Sequence, residues 1–124
     1  IAAAAEGIAI AGYFNAGQDC TAATRVLCGP RVYADFVAAL AEQAQGIRTG
    51  QPDDEDVLFG PVNNPTQLAH VNGMVERAPS HATVNAGGHQ VAGNGFFFEP
   101  TVLSNVSEDS KMMNIEPFGP IAPM

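Results

Sequence analysis

The first fourteen residues, IAAAAEGIAIAGYF, constrain this chain more than any other stretch, because Glu6 is their only charged side chain. A helix that is apolar almost all round has to be buried against other elements. The run is too short for a membrane span, which needs ~20 apolar residues. No basic segment precedes it, as a secretory signal would require. It ends at Asn15-Ala16-Gly17, a helix stop followed by a loop. The packing partners available to it are small, since 20 of the 124 positions are alanine and 13 are glycine. With 46% hydrophobic and 15% charged residues, the chain reads as globular and as one domain at most.

Helical and extended patterns alternate from there on. TRVLC (24–28) is short and β-branched, ahead of Gly29-Pro30, and reads as a buried strand. Pro30 suits the first turn of a following helix. In that helix Val32, Phe36, Leu40 and Ala44 recur at a spacing of four, with Val37 and Ile47 beside them. RTGQPDDEDVLFGP (48–61) has the residues of a loop. A second amphipathic helix is predicted at 65–78, with Leu68, Val71 and Val75 on one side.

A strand at 83–88 and a glycine-rich turn at 89–95 come next. FFFEPTVL (96–103) is strand-like on both sides of Pro100, which favours an edge or a bend. A helical turn near Ser110–Asn114 and the run IAPM close the sequence. The alternation predicts an α/β arrangement, with helices packed on a mostly parallel sheet. The first helix has no start signal and the final run no cap. We therefore expect an excerpt of a longer chain, with the apolar faces of 1–14 and 121–124 left exposed.

Thirteen acidic against five basic residues give a net charge of −8. That charge argues against a nucleic-acid partner and against an anionic membrane surface. Cys20 and Cys28 are too few for a disulfide framework or a four-ligand zinc site. Unpaired cysteines without a leader point to the cytoplasm. His70, His81 and His89 lack metal-ligand spacing and read as surface residues. Asp53-Asp54-Glu55-Asp56 lacks the register of a calcium loop and reads as a solvated turn, so no metal is expected.

Cys20 lies between a buried helix and a predicted strand, where a loop can present a thiol beside free backbone amides. The plainer alternative is a small buried hydrophobe, and Cys28 fits that description better. A nucleophilic thiolate needs positive potential nearby. The closest cation in sequence is Arg25, and Asp19 is adjacent and anionic. Any activator must therefore come from elsewhere in the fold or from outside these residues. Glu116-Pro117-Phe118-Gly119-Pro120 is a stiff segment holding a carboxylate and an aromatic ring two positions apart. It suits a ribose diol and a nicotinamide face, and equally a structural turn.

Together the two segments resemble the aldehyde dehydrogenase superfamily. Phe14-Asn15-Ala16-Gly17-Gln18-Asp19-Cys20 resembles its cysteine motif, F-x-N-x-G-Q-x-C, and Glu116–Pro120 resembles its E-x-F-G-P motif. The 96 positions between Cys20 and Glu116 are about the family's spacing. GPRVYADFVAAL, Gly60-Pro61 and GFFFEPTVL resemble family segments in the same order.

The resemblance implies a catalytic-domain segment in which Cys20 attacks an aldehyde to give a thiohemiacetal. Oxidation would leave a thioester, which water hydrolyses to the acid. It implies NAD or NADP as cofactor, with Glu116 on the nicotinamide ribose and Phe118 near the ring. Asp19 and Thr21 would border the substrate tunnel. GQDCTAA is most similar to the aminoaldehyde branch, which includes γ-aminobutyraldehyde dehydrogenases.

A small-molecule aldehyde as substrate and a homo-oligomeric full-length protein follow from the same resemblance. The family's E-L-G-G-K segment, with its general base, its oxyanion asparagine and most of its dinucleotide fold have no counterpart in these residues. The segment alone is therefore expected to be inactive. Two other readings remain open at this level: a truncated, non-catalytic binding or structural module, and a thiol sensor using Cys20 and Cys28.

Overall fold

A computed structural model describes all 124 residues. The run of apolar residues at the start forms α1 (Ala2–Tyr13), continued by a short turn at Phe14–Gly17. Ala5, Ala9, Gly12 and Tyr13 make its buried stripe. Burial is one-sided: Ile1, Ile10 and Phe14 are exposed, because α2 and β3 cover only one face of the helix. The all-round burial expected from the sequence is absent within these residues.

α2 (Tyr33–Gly46) buries Phe36, Val37, Leu40 and Ala44 of the predicted stripe, with Ala41 beside them, whereas Val32 is the exposed residue before the helix and Ile47 the partly buried residue after it. It starts after Pro30, because Gly29–Val32 form a turn in which the Val32 N–H donates to the Gly29 carbonyl. α3 (Pro65–Glu76) is started by Asn64, whose side chain accepts from the Gln67 N–H, with Pro65 in the first turn. It buries Leu68, Val71 and Met74.

Three short strands make the sheet: β1 (Thr83–Ala86), β2 (Thr101–Ser104) and β3 (Ile121–Pro123), in the order β1-β2-β3. β1 and β2 are antiparallel; β2 and β3 are parallel. The parallel pair needs a long return connection, and residues 105–120 supply it with α4 (Lys111–Asn114) on the way. The α/β arrangement of helices against a sheet is present, and the sheet is mixed.

Two expected strands and one expected exposed face are corrected. Residues 24–28 form no ladder; the Val26 N–H donates to the Pro123 carbonyl, and that single bond ties the segment to β3. Phe96–Pro100 is outside β2: Phe98 makes an isolated bridge to Gln90, and Pro100, which has no N–H to donate, precedes the ladder. Ile121–Met124 is buried because it is the third strand and its immediate continuation. No helix is long and apolar enough to cross a membrane.

Candidate active site

Cys20 is exposed at the end of an unusual backbone turn. Asn15, Ala16 and Gly17 take φ of 51°, 57° and 68°, three left-handed residues in a row. Asn and Gly tolerate that region, whereas Ala16 costs ~1–2 kcal/mol. Local hydrogen bonds offset the strain: Asn15 Nδ2 donates to the Gln18 carbonyl, and Gln18 Nε2 and its own N–H both donate to the Asn15 carbonyl. Gln18 Oε1 accepts from the Asn63 N–H and so anchors the turn to the segment before α3. Strain held by its surroundings in this way is characteristic of functional loops.

The second motif is fixed from the opposite side. Gln67 Nε2 donates to both the Pro117 and Phe118 carbonyls, at 2.9 and 2.7 Å. Phe118 is itself left-handed, at φ 46°. Gly119 lies against Val71 of α3, and Gly17 packs backbone to backbone on Gly119. A methyl at Gly17 would fall on the Gly119 carbonyl. The cysteine loop and the E-P-F-G-P turn are therefore in direct contact, although far apart in sequence. Behind them, the buried Tyr13 hydroxyl donates to the Thr101 carbonyl, and the Thr101 N–H donates to the Pro120 carbonyl. Burial raises the Tyr13 pKa well above its ordinary value.

A cavity of about 390 Å³ opens between Ala22–Arg25 and Met112–Pro117, so the residues following Cys20 and the residues leading into Glu116 share one space. Glu116 is exposed and its carboxylate accepts no hydrogen bond from the protein. The Cys20 N–H likewise has no acceptor. Asp19 Oδ1 accepts from the Thr21 N–H at 2.8 Å and from its hydroxyl at 2.9 Å. The N–H bond first, and the hydroxyl second, hold the Asp19 carboxyl below its ordinary pKa. Arg25 donates to the Met113 carbonyl, across the cavity, and makes no hydrogen bond to Cys20.

Cys20, Asp19 and Thr21 therefore form one loop, and Glu116 and Phe118 belong to the turn packed on it. Cys28 is half-buried and donates to the Gly29 carbonyl, and both thiols are free. Gln67 and the Gly17–Gly119 contact escaped the reading of the sequence. Asn64-Pro65 announced a helix start and so placed Gln67 in its first turn, but nothing local indicated where that side chain would reach.

Residues 1–124 match the sequence model of the aldehyde dehydrogenase family over the whole chain. The "Probable succinate-semialdehyde dehydrogenase (NADP(+))" of Sinorhizobium fredii is 35% identical over 128 residues, covering 100% of this chain and 26% of that protein. Lactaldehyde dehydrogenase from Escherichia coli superposes with a TM-score of 0.92 at 35% identity, over 97% of this chain and 26% of that one. Betaine aldehyde dehydrogenase from Staphylococcus aureus, in complex with NAD+, gives a TM-score of 0.90 at 30% identity, over 97% and 25%. The chain spans about a quarter of the length of the curated relatives it matches. With a match over every residue and both motifs in contact, the chain belongs to the aldehyde dehydrogenase family.

Proposed function

We propose that this chain carries the nucleophile and part of the cofactor site of an NAD(P)-dependent aldehyde dehydrogenase. The observation that supports it best is the backbone contact of Gly17 with Gly119, which seats the Cys20 loop on the Glu116–Pro120 turn. In this reading Cys20 Sγ adds to the aldehyde carbon, forming a C–S bond and a thiohemiacetal oxyanion. The unpaired Cys20 N–H is available to hold that oxyanion. Bound NAD(P)+ supplies the hydride acceptor. Loss of hydride from the thiohemiacetal carbon leaves a thioester on Cys20, and water displaces the thiol to release the acid.

The cofactor fits the residues present. Glu116, free of protein donors, offers carboxylate oxygens to a ribose diol, and Phe118 is held half-buried beside it by the two bonds from Gln67. Both NAD+ and NADP+ occur in the names of relatives, so the nucleotide is written NAD(P)+. The thiol's activator is assigned to parts of the protein outside these residues, since Arg25 is committed to Met113. The 124 residues alone are proposed to be inactive in turnover, and the intact protein to act as a homo-oligomer.

The proposed substrate class is an aldehyde bearing a cationic amine. Support comes from Asp19, which the Thr21 bonds keep ionised beside Cys20, and unlike charges attract. In the intact enzyme, Cys20→Ser should abolish aldehyde-dependent NAD(P)H formation while retaining cofactor binding. Asp19→Val should lower turnover of an aminoaldehyde relative to a neutral aldehyde of equal length. An active Cys20→Ser enzyme would overturn the mechanism. An unchanged substrate ratio in Asp19→Val would remove the amine preference and leave the mechanism standing.

A further inference from the structure

Outside the Cys20 loop, one cavity gathers an unusual share of the chain's few positive charges. It has a volume of about 260 Å³ and lies between α3 and α4. Arg77 and Lys111, two of the five Lys and Arg residues of a chain with net charge −8, line it together with His70. No carboxylate lines it. Arg77 and Lys111 form no ion pair, since the chain's two salt bridges both belong to Arg48. His70, expected from the sequence to be a solvated surface residue, is half-buried on this wall.

One further feature bears on what the cavity takes. The Arg77 guanidinium is folded back along α3 onto Gly73. A Cβ built at Gly73 would lie 2.6 Å from Nη1 and 2.9 Å from Nη2. Gly73 is helical and its φ is ordinary, so the missing side chain serves as space for the guanidinium and not as backbone freedom.

We propose that this cavity is a binding subsite for a phosphoryl group. Arg77, Lys111 and His70, which all line it, act as the donors. A tetrahedral dianion has three terminal oxygens to meet such a set, whereas a carboxylate has two. Met74 and Met112 form the apolar part of the wall, against which the remainder of a phosphorylated molecule can rest. The inference uses neither Cys20 nor Glu116 and is independent of the aldehyde-oxidising reading.

The test is calorimetric titration of the intact protein with inorganic phosphate. Saturable binding is expected, weakened about tenfold by Arg77→Gln or Lys111→Gln, as loss of a charge-assisted hydrogen bond predicts. Gly73→Ala should weaken it severalfold by pushing the guanidinium off the helix, with helix content and thermal midpoint unchanged or raised. A purely structural role for Arg77 would not give that combination. Competition with NAD(P)+ separates the two sources of the ligand. Displacement of phosphate by the dinucleotide assigns the subsite to a cofactor phosphate, and simultaneous binding assigns it to a separate phosphorylated metabolite. Absence of saturable binding, or binding indifferent to all three substitutions (an adventitious ion only), overturns the proposal.

Discussion

Substituting alanine at three glycines separates backbone strain from close approach, and it tests the contact on which the site rests. At Gly7, in the middle of α1, φ is helical and no atom lies within 4 Å of an added Cβ. Gly7→Ala should therefore stabilise the protein by up to ~1 kcal/mol, the helix-propensity difference. At Gly93 the space is also open, but φ is +119°. Gly93→Ala should cost about 1–3 kcal/mol from backbone strain alone. Gly17 combines both effects, with φ at +68° and a Cβ that would lie 2.6 Å from the Gly119 carbonyl carbon. A left-handed alanine contributes ~1–2 kcal/mol and forcing the two backbones apart ~1–3 kcal/mol, so Gly17→Ala should cost roughly 2–5 kcal/mol. Because the neighbour is backbone, no side-chain rotation relieves the clash. Urea denaturation of the intact protein reads the stabilities, and the rate of Cys20 alkylation by iodoacetamide reads the loop. The alkylation rate should change in Gly17→Ala alone. A Gly17→Ala protein as stable as Gly93→Ala, with the parent's alkylation rate, would show that the two motif loops do not press on one another.

Tyr13→Phe removes the buried hydrogen bond to the Thr101 carbonyl and should cost about 1–2 kcal/mol at neutral pH. Since the folded Tyr13 has a raised pKa, the parent's stability should be flat below the unfolded value of 10.0 and fall as pH rises beyond it. Tyr13→Phe should flatten that alkaline slope, and an unchanged slope in pH-dependent melting would refute the assignment. Asp19 is the opposite case: its lowered pKa means that the Thr21 bonds add stability above the ordinary carboxylate value of 3.8, lost as pH falls through the folded value. Thr21→Val deletes the hydroxyl but keeps the N–H, the larger cause. The NMR titration of Asp19 should therefore move up only in part and stay below its ordinary value, and full reversion would show the hydroxyl to dominate.

What could be read from the sequence was what the chain decides locally. Spacing of four in Phe36, Leu40 and Ala44 is a property of one helix, and Asn64-Pro65 signals a start without reference to anything distant. Thr24–Cys28 misled because β-branched residues report a fit to an extended backbone, while a ladder also requires a partner in register. Here one bond from Val26 to Pro123 is all that is made. The buried face of α1 misled for a related reason: its composition reports what the helix tolerates, and its burial depends on which elements reach it. The candidate site divides along the same line. Cys20 and Glu116 could be singled out as candidates from their motifs, but the reason for the glycines beside them could not. Gly17 has no side chain because Gly119 needs the space, and Gly119 has none because Val71 stands on its other side. The three residues come from three elements and form one stack, with Gln67 tying the turn to the same helix as Val71. A change at any layer of that stack shifts the Cys20 loop against the Glu116 turn, so the spacing within the site is set by small residues that take no part in the chemistry.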